Sequence, residues 1–362
     1  MIRHTFDELW PEGMDSLRAD LILEGFNDLE FELLEGAPMP LVEELSHYYK
    51  ASGDASRSWG FLSKETRNSW PNQFAFLFAH KSRRKDLPEK ISGHICWTNY
   101  PEAALDCLIL KLVGTRSNFE PRRDSPKDVI VEPSAYISKD AVIGEGSVIE
   151  VGVKIGARAQ IGRNCHIGAY SIIEDDCILG DGCDLGSHCH IGGRGFGIID
   201  YPRAPQKRIR HHVGRVRLGN FVQLGSHTCV DRAVFNETIL GDEVSTDNHV
   251  QIAHNCVIGA QSAFCAFVGM SGSTTVGKRC VFAGASGTKG HLSIGDDVIV
   301  GAQSGITSDL ESNQFVKGYP PRPIQEALKI ESLKTRLPEI YSRLKRLEKL
   351  AQGSDTDLKS KE

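Results

Sequence analysis

Two histidines five residues apart, His249 and His254, are well suited to acid–base chemistry. They lie in the stretch DNHVQIAHN, residues 247–255, within a part of the chain that is rich in Ile, Val and Gly. A neutral imidazole can accept a proton near pH 7 or bind a metal ion, whereas a histidine packed inside an apolar core does neither. The direction in which the backbone points each side chain therefore decides among a catalytic base, a metal ligand and a core residue.

A six-residue repeat organises the chain around these histidines. From Val131 to Ile191 an aliphatic residue occupies every sixth position, eleven times in succession, and the residue two places before each one is small. A period of six fits neither an amphipathic helix nor a single strand, but it fits a parallel β-helix with three short strands in each coil of about 18 residues. We therefore predict a mainly β protein with a parallel β-helix over residues 126–320 and about nine coils.

The repeat is interrupted by an insert at residues 193–216, and its phase slips near Ala233. The insert contains the sequence RGFGIID and the basic stretch RIRHH, which includes His211 and His212. Long loops in compact folds are commonly functional. We predict a loop expelled from the β-helix, and the repeat assigns no role to its two histidines.

The segments on either side of the repeat have a different organisation. Residues 1–125 contain strand-like and helix-like stretches and predict a small α/β domain. In residues 321–352, apolar residues at spacings of three and four predict a helical seam, which Pro338 would divide into two helices. The polar tail, residues 353–362, is predicted to be disordered. An exposed seam needs a partner, so we predict a homotrimer; a monomer with the tail folded back is the alternative.

Composition excludes several classes of partner. The net charge is −5, which gives no reason to expect nucleic-acid binding. The sequence contains no run of about 18 apolar residues, so no membrane span is predicted. Ten cysteines in 362 residues are too few for a disulfide scaffold, which together with the charged N-terminus predicts a cytoplasmic protein. Six of the cysteines occupy the small inward position of the repeat, where a thiol behaves as a small apolar side chain: Cys165, Cys177, Cys183, Cys189, Cys256 and Cys280.

The six-residue frame also orients the histidines. It places Val250 and Ile252 inside the β-helix, so His249 and His254 both face outward. His291 follows His254 by two coils and one residue, which predicts the same edge of the β-helix at a distance of about 10 Å along its axis. The frame excludes a core role for these histidines, but it does not show which of His249 and His254 is the functional one.

Four stretches in this order carry a resemblance to a known family. They are TDNHVQIAHNCVIG from residue 246, VGMSGSTTVG from 268, GTKGHLSIGDDVIVGAQSGIT from 287 and KGYPPRPIQEALK from 317. The chain resembles the UDP-3-O-acylglucosamine N-acyltransferase family of lipid A (lipopolysaccharide) biosynthesis from about Val129 to Leu350, and the insert matches the same family. The resemblance implies a homotrimer with a left-handed β-helix. It also implies transfer of a 3-hydroxyacyl chain from acyl carrier protein to the 2-amine of a UDP-sugar, with no cofactor apart from the acyl-phosphopantetheine of the donor.

The resemblance also implies roles for individual residues. His254 is expected to be the general base, with Asp247 orienting its imidazole. His291 is expected to contact the sugar nucleotide or assist the transition state, and the Gly272 N–H to stabilise the oxyanion. The residues expected to bind or position substrate are Gln251, Asn255, Phe196, Gly197, Phe61 and Trp70.

The expected uracil site departs from the family pattern. The family places an asparagine and then a tyrosine after a Phe-Leu pair, whereas here Lys64 and Arg67 stand at those positions after Phe61. Trp70 offers an aromatic face in place of the tyrosine. The exact sugar and the acyl chain length are therefore left open.

Other functions remain compatible with a hexapeptide repeat. They are a paralogue that acylates another UDP-amino sugar, an O-acyltransferase of the related first step, a metal enzyme of the γ-type carbonic anhydrase kind, and a non-catalytic trimer. A metal enzyme needs three converging histidines, and only His249 and His254 offer two candidates. An excess of four positive charges between Lys329 and Lys349 predicts that the C-terminal helices attract the acidic carrier protein; a solvated helical face is the alternative.

Overall fold

The structure is a computed structural model that describes residues 128–199 and 208–358 without further gaps. In the preceding part of the chain it describes residues 3–4, 30–33, 59–62, 73–86, 92–98, 102 and 121–122.

Short parallel strands form a β-helix with three sheets, as the six-residue period predicts. Successive coils pair in register at an offset of 18 residues, as Gln251 with Gly269 and Val257 with Thr275. The chain passes from sheet I to sheet II to sheet III and back to sheet I. We call the corner between the first two sheets edge I/II and the next corner edge II/III.

The strands of the three sheets have the following bounds. Sheet I contains Ile130–Val131, Val148–Ile149, His166–Ile167, Asp184–Leu185, Gln223–Leu224, Ser245–Thr246, Ala263–Phe264, Val281–Phe282, Ile299–Val300, Phe315–Lys317 and the antiparallel Arg322–Pro323. Sheet II contains Tyr136–Ile137, Lys154–Ile155, Ile172–Ile173, His190–Gly193, Cys229–Asp231, Gln251–Ile252, Gly269–Met270, Gly287–Thr288 and Gly305–Ile306. Sheet III contains Val142–Ile143, Gln160–Ile161, Ile178–Leu179, Arg215–Leu218, Glu237–Leu240, Val257–Ile258, Thr275–Val276 and Ser293–Ile294.

The core is built from the second residue of nearly every strand together with the small residue two places earlier. Large side chains such as Ile149, Ile252 and Phe282 are fully buried. All six cysteines predicted to point inward are buried and free. Strand alternation sends each intervening residue outward, which is why a six-residue frame predicts side-chain direction.

The interruption of the repeat becomes a projection from the β-helix. Strand Ile198–Ile199 pairs antiparallel with Arg208–Ile209, and the chain re-enters sheet III with the four-residue strand Arg215–Leu218. The phase slip near Ala233 corresponds to extra residues between Cys229–Asp231 and Glu237–Leu240. The chain rejoins the solenoid at Arg215, one residue before the predicted end of the insert.

The first part of the chain contributes a five-stranded mixed sheet. Its strands, in spatial order, are Arg3–His4, Glu30–Leu33, Ser92–Thr98, Gln73–His80 and Trp59–Leu62, and a 3₁₀ helix spans Lys81–Asp86. The helix-like stretches predicted for this part of the chain lie outside the described residues, apart from Glu102.

One helix, Ile324–Leu358, follows the β-helix and contains Pro338. The prediction of two helices divided at this proline is therefore wrong, and the single helix continues through residues 353–358 of the predicted tail. Proline removes one backbone donor, but the helix surface around Pro338 is exposed, so water can satisfy the carbonyl that loses its partner. No helix in the described part of the chain is long and apolar enough to cross a membrane.

Edge I/II carries a column of stacked rings that the sequence analysis missed. Tyr170, His188, His227, His249 and Phe267 follow one another coil by coil. Neighbouring centroids lie 4.8–5.4 Å apart and the planes are within 15° of parallel. We call these five residues the ring ladder. His249 belongs to it and lies on a different edge from His254.

Candidate active site

The candidate active site lies on edge II/III, where the chain leaves sheet II after Ile252. His254 is half-buried there, and Gly272 occupies the same position in the next coil. A Cβ added to Gly272 would approach the Cε1 and Nε2 atoms of His254 to 2.6 Å. Only glycine at position 272 leaves room for the imidazole in this orientation.

The side chain of Asn255 fixes the proton on the His254 ring. Its Oδ1 accepts from the Val234 N–H at 2.9 Å, and its Nδ2 donates to the Phe235 carbonyl at 3.1 Å, so the amide has one orientation. The same Oδ1 lies 3.1 Å from Nδ1 of His254. Because this oxygen can only accept, Nδ1 carries the proton in the neutral ring and Nε2 presents its lone pair. A general base needs this arrangement.

The surroundings keep the imidazole of His254 neutral. Burial lowers its pKa from the ordinary value, and the positive charge of Arg210 and the proximity of His291 act in the same direction. The hydrogen bond to Asn255 and the nearby Phe196 backbone oppose this shift only in part. The ring is therefore available to accept a proton at neutral pH.

His291 lies on the same edge, as the spacing predicted. Its backbone N–H donates to the Gly272 carbonyl at 3.0 Å, and the Ser273 N–H donates to the His254 carbonyl at 2.9 Å. His291 has a φ of 61° and its side chain is exposed. Gly272 and Gly290 occupy the position of His254 on this edge in the next two coils.

The position of Asp247 contradicts its predicted role. A complete coil needs 18 residues, whereas Asp247 precedes His254 by only seven, so it lies one sheet away on edge I/II. Its Oδ1 accepts hydrogen bonds from the backbone and side-chain nitrogens of Asn248 at 2.7 and 3.0 Å. Asn255, which we expected to contact substrate, holds the imidazole instead.

Two further residues predicted to bind substrate, Gln251 and Gly197, make hydrogen bonds within the protein. Nε2 of Gln251 donates to the Asp231 carboxylate at 2.9 Å. Burial raises the pKa of Asp231 to about 6. The Gly197 carbonyl accepts from the Arg210 N–H at 2.7 Å and so closes the hairpin of the insert.

The remaining predicted substrate residues are less well placed by the structure. Phe196 lies near the start of the insert and is 69% exposed, so its side chain is accessible to a ligand. Phe61 lies on strand Trp59–Leu62, but its side chain is outside the described part of the structure. Trp70 also lies outside the described residues.

Sequence reasoning missed His212, which lies against His254. The two rings meet edge to face with centroids 5.0 Å apart. The six-residue frame does not extend into the insert and so gave no signal for this contact.

A metal centre finds no support in the side chains that the structure describes. Among those residues, no three His, Cys, Asp or Glu side chains converge in a way that could hold a metal ion. His249 and His254, the two candidates, lie on different edges of the β-helix.

The chain is similar in sequence to known acyltransferases. Residues 158–193 match the family model of the bacterial transferase hexapeptide (six repeats). A UDP-3-O-acylglucosamine N-acyltransferase from Wolinella succinogenes is 39% identical over 144 residues, which are 40% of this chain and 45% of that protein. Proteins of the same name from Bordetella pertussis and Campylobacter curvus are 36% and 38% identical, over 38% of this chain and 38% and 44% of theirs.

The chain is also similar to a solved structure. It is a UDP-N-acetylglucosamine acyltransferase from Campylobacter jejuni, 19% identical, with a TM-score of 0.48 over 53% of this chain and 73% of that one. The match to each curated relative above spans less than half of that relative's length. The resemblance predicted from the sequence is confirmed: this chain has a hexapeptide-repeat β-helix, and over less than half of its length it is similar in sequence to proteins named UDP-3-O-acylglucosamine N-acyltransferase.

Proposed function

We propose that this protein is an N-acyltransferase that moves a 3-hydroxyacyl chain from acyl carrier protein to the 2-amine of UDP-3-O-acylglucosamine. The observation that carries the proposal is the imidazole of His254, whose Nδ1 proton is held by Asn255, so that the lone pair of the neutral ring is on Nε2. The named relatives support the choice of reaction. We expect the reaction to take place in the cytoplasm, where acyl carrier protein supplies the donor.

The proposed mechanism takes place on edge II/III, beside His254. Nε2 of His254 removes a proton from the amine as its nitrogen attacks the thioester carbonyl carbon. The carbonyl oxygen becomes an oxyanion beside the Gly272 N–H, which donates no hydrogen bond within the described part of the chain. When the intermediate collapses, the C–S bond breaks and the thiolate of the phosphopantetheine arm takes the proton from Nε2. No other cofactor is required.

The outward positions of sheet II beyond Gln251 are Gly269, Gly287 and Gly305. A Cβ on Gly269 would meet nothing within 4 Å, whereas a Cβ on Gly305 would meet the Tyr319 ring, so we expect the substrate arms to lie near Gly269. We expect His291, two coils beyond the base, to contact the sugar nucleotide. We also expect Phe196, whose backbone lies near His254, to contact substrate.

A homotrimer is part of the proposal. The apolar residues of the C-terminal helix are spaced alternately by four and three, as in a coiled coil, and all are at least 41% exposed in the single chain: Leu333, Leu337, Ile340, Leu344 and Leu347. Helices of three copies that packed along this seam would remove it from water.

The same helix offers a basic surface for the acidic carrier protein. Arg343, Lys345 and Arg346 lie on exposed positions of the helix, and Lys345 packs over the Tyr341 ring at 4.9 Å. Changing these three to Glu is expected to raise the KM for acyl carrier protein, and the effect should shrink at high salt. An unchanged KM would remove the helix from the docking surface.

The experiment that tests the reaction is an acyl-transfer assay with product mass measured by mass spectrometry. UDP-3-O-acylglucosamine is compared with other UDP-amino sugars, because Lys64 and Arg67 differ from the family's uracil motif. His254→Ala is expected to abolish transfer while the trimer stays intact. Transfer only to another UDP-amino sugar would support a paralogue, and no transfer to any sugar would support a non-catalytic trimer.

A further inference from the structure

His212 is held rigidly at the base of the insert. Its side chain is only 7% exposed, and its Nδ1 lies 3.0 Å from the Arg210 carbonyl oxygen. A carbonyl oxygen only accepts, so Nδ1 of His212 donates the proton. The hydrogen bond fixes which face and which edge of the ring the protein presents to its neighbours.

That fixed ring covers one side of the His254 imidazole. The ring planes meet at 60° with centroids 5.0 Å apart, an edge-to-face arrangement. The Gly195 backbone fits against both side chains: a Cβ there would lie 2.8 Å from Nε2 of His212 and 3.1 Å from Cβ of His254. The contact therefore leaves no space for water between the insert and this side of the imidazole.

One backbone segment, residues 233–236, holds both His212 and the partner of His254. The Val213 N–H donates to the Val234 carbonyl at 3.0 Å, and the Gly214 N–H donates to the Ala233 carbonyl at 2.9 Å. The N–H of the same Val234 donates to Oδ1 of Asn255. The phase slip in the repeat thus produces a segment that fixes the base from two directions.

The insert is also linked to the first part of the chain. The Arg210 guanidinium lies 2.7 Å from the Glu102 carboxylate and its side chain is 18% exposed. This ion pair holds in place the residue whose carbonyl accepts from His212. The positive charge of Arg210 is one cause of the lowered pKa of His254.

We propose that His212 is a positioning residue for His254, which it shields from water and holds in the orientation needed for proton transfer. The inference rests on the proposed function, in which His254 is the base. A positioned ring costs no reorganisation at the moment of reaction, and small misplacements of a catalytic group cost large factors in rate. His212 itself does not touch the reacting atoms.

The test combines NMR titration of His254 with steady-state kinetics on the full-length protein. Selectively labelled histidine gives one ring signal for His254, which is assigned by its loss in His254→Gln. The variants are His212→Ala, which removes the shielding ring, and His212→Phe, which keeps an aromatic ring of similar shape. His211→Ala, one residue earlier, is the matched control.

In His212→Ala, water reaches the imidazole, so its titration midpoint should rise toward the ordinary histidine value, and kcat should fall by about tenfold to a hundredfold. The KM for the sugar nucleotide should stay within about twofold, because substrate contacts are unchanged. His212→Phe keeps the shielding ring but cannot donate to the Arg210 carbonyl, so it should keep the midpoint near the wild-type value and lose less kcat than His212→Ala. His211→Ala should leave both close to those of the wild type.

An unmoved His254 midpoint in His212→Ala would overturn the role of His212, and so would an equal loss of kcat in His212→Phe and His212→Ala. Failure of the proposed function has a different signature. In that case the wild-type protein transfers no acyl chain to any UDP-amino sugar, whatever the titration of His254.

Discussion

At the scale of single residues, the candidate base is oriented by an amide rather than by a carboxylate. Asn255 holds Nδ1 of His254 without adding a negative charge, so it selects the tautomer but does not stabilise the protonated ring as a carboxylate would. Burial and Arg210 then keep the pKa of the imidazole low. A base that stays neutral at slightly acidic pH is the consequence.

The pH dependence of transfer should report this arrangement. The base must be unprotonated, so kcat/KM should fall as pH drops through the pKa of His254, with a midpoint below the ordinary histidine value of about 6.5. Asn255→Asp places a carboxylate beside Nδ1, which raises that pKa and should move the acid limb to higher pH. Asn248→Asp, on edge I/II, is the control. A wild-type midpoint above 6.5, or an acid limb that does not move in Asn255→Asp, would contradict this account.

Two glycines on different edges of the β-helix provide a matched test of the space around the base. In Gly272→Ala the new Cβ would meet the imidazole at 2.6 Å, so the ring must move and kcat should fall by about a hundredfold. In Gly284→Ala, on edge I/II, the new Cβ would meet only the Ala266 carbonyl oxygen at 3.5 Å, an ordinary contact, so kcat should change little. The measurement is kcat with thermal unfolding as a check on folding. Equal activity in the two variants would place the reaction away from His254.

At the scale of elements, the ring ladder shows how an edge of a β-helix is reinforced. The five rings stand at successive corners in the left-handed backbone conformation, with φ of 58° at His249 and 62° at Phe267. Such a conformation is costly for residues other than glycine. Stacking between neighbouring coils offsets part of that cost and gives His249 a structural role.

Removal of a central ring should weaken the β-helix. His227→Ala deletes two stacking contacts, with His188 and His249, and should lower the free energy of unfolding by about 1–2 kcal/mol. His227→Phe should keep most of the stability that stacking provides. Gln223→Ala, an exposed change in the same coil, is the control, and thermal unfolding is the measurement. If His227→Ala is no less stable than Gln223→Ala, the ladder contributes nothing to stability.

The sequence predicts the β-helix well because its core is periodic. Each coil repeats the same burial pattern, so positions such as Ile252 and Cys256 can be assigned to the interior from spacing alone. The prediction of two helices at Pro338 failed because the cost of proline depends on whether water can reach the freed carbonyl. The ring ladder was missed because a six-residue search samples inward positions rather than the corners at a period of 18.

The candidate site was predicted only in part for a related reason. Residues related by whole coils, such as His254 and His291, are placed together by counting. Asp247 was assigned to the His254 imidazole through the resemblance, but the seven residues between them span only one side of the β-helix, so the two lie on different edges. His212 contacts His254 from an insert without a repeat, and no spacing rule places such a residue.

At the scale of the whole molecule, the single chain leaves a long apolar seam in water. Leu337 and Leu344 are 56% and 51% exposed on the C-terminal helix, and their neighbours on the seam are similar. Each buried leucine side chain contributes about 1.5–3 kcal/mol. The burial of several such residues per helix provides a strong drive for the helices of different copies to associate.

The oligomeric state tests this view of the molecule. The wild type should sediment with three times the chain mass of 39.8 kDa, whereas Leu337→Lys combined with Leu344→Lys should dissociate at concentrations where the wild type stays assembled. The charges cannot be buried along the seam without a large cost. Thr335→Lys combined with Ser342→Lys, on exposed positions off the seam, should leave the mass unchanged. A wild-type chain that sediments as one protomer, or a seam variant that stays assembled at the lowest measurable concentration, would show that the seam does not join copies of this chain.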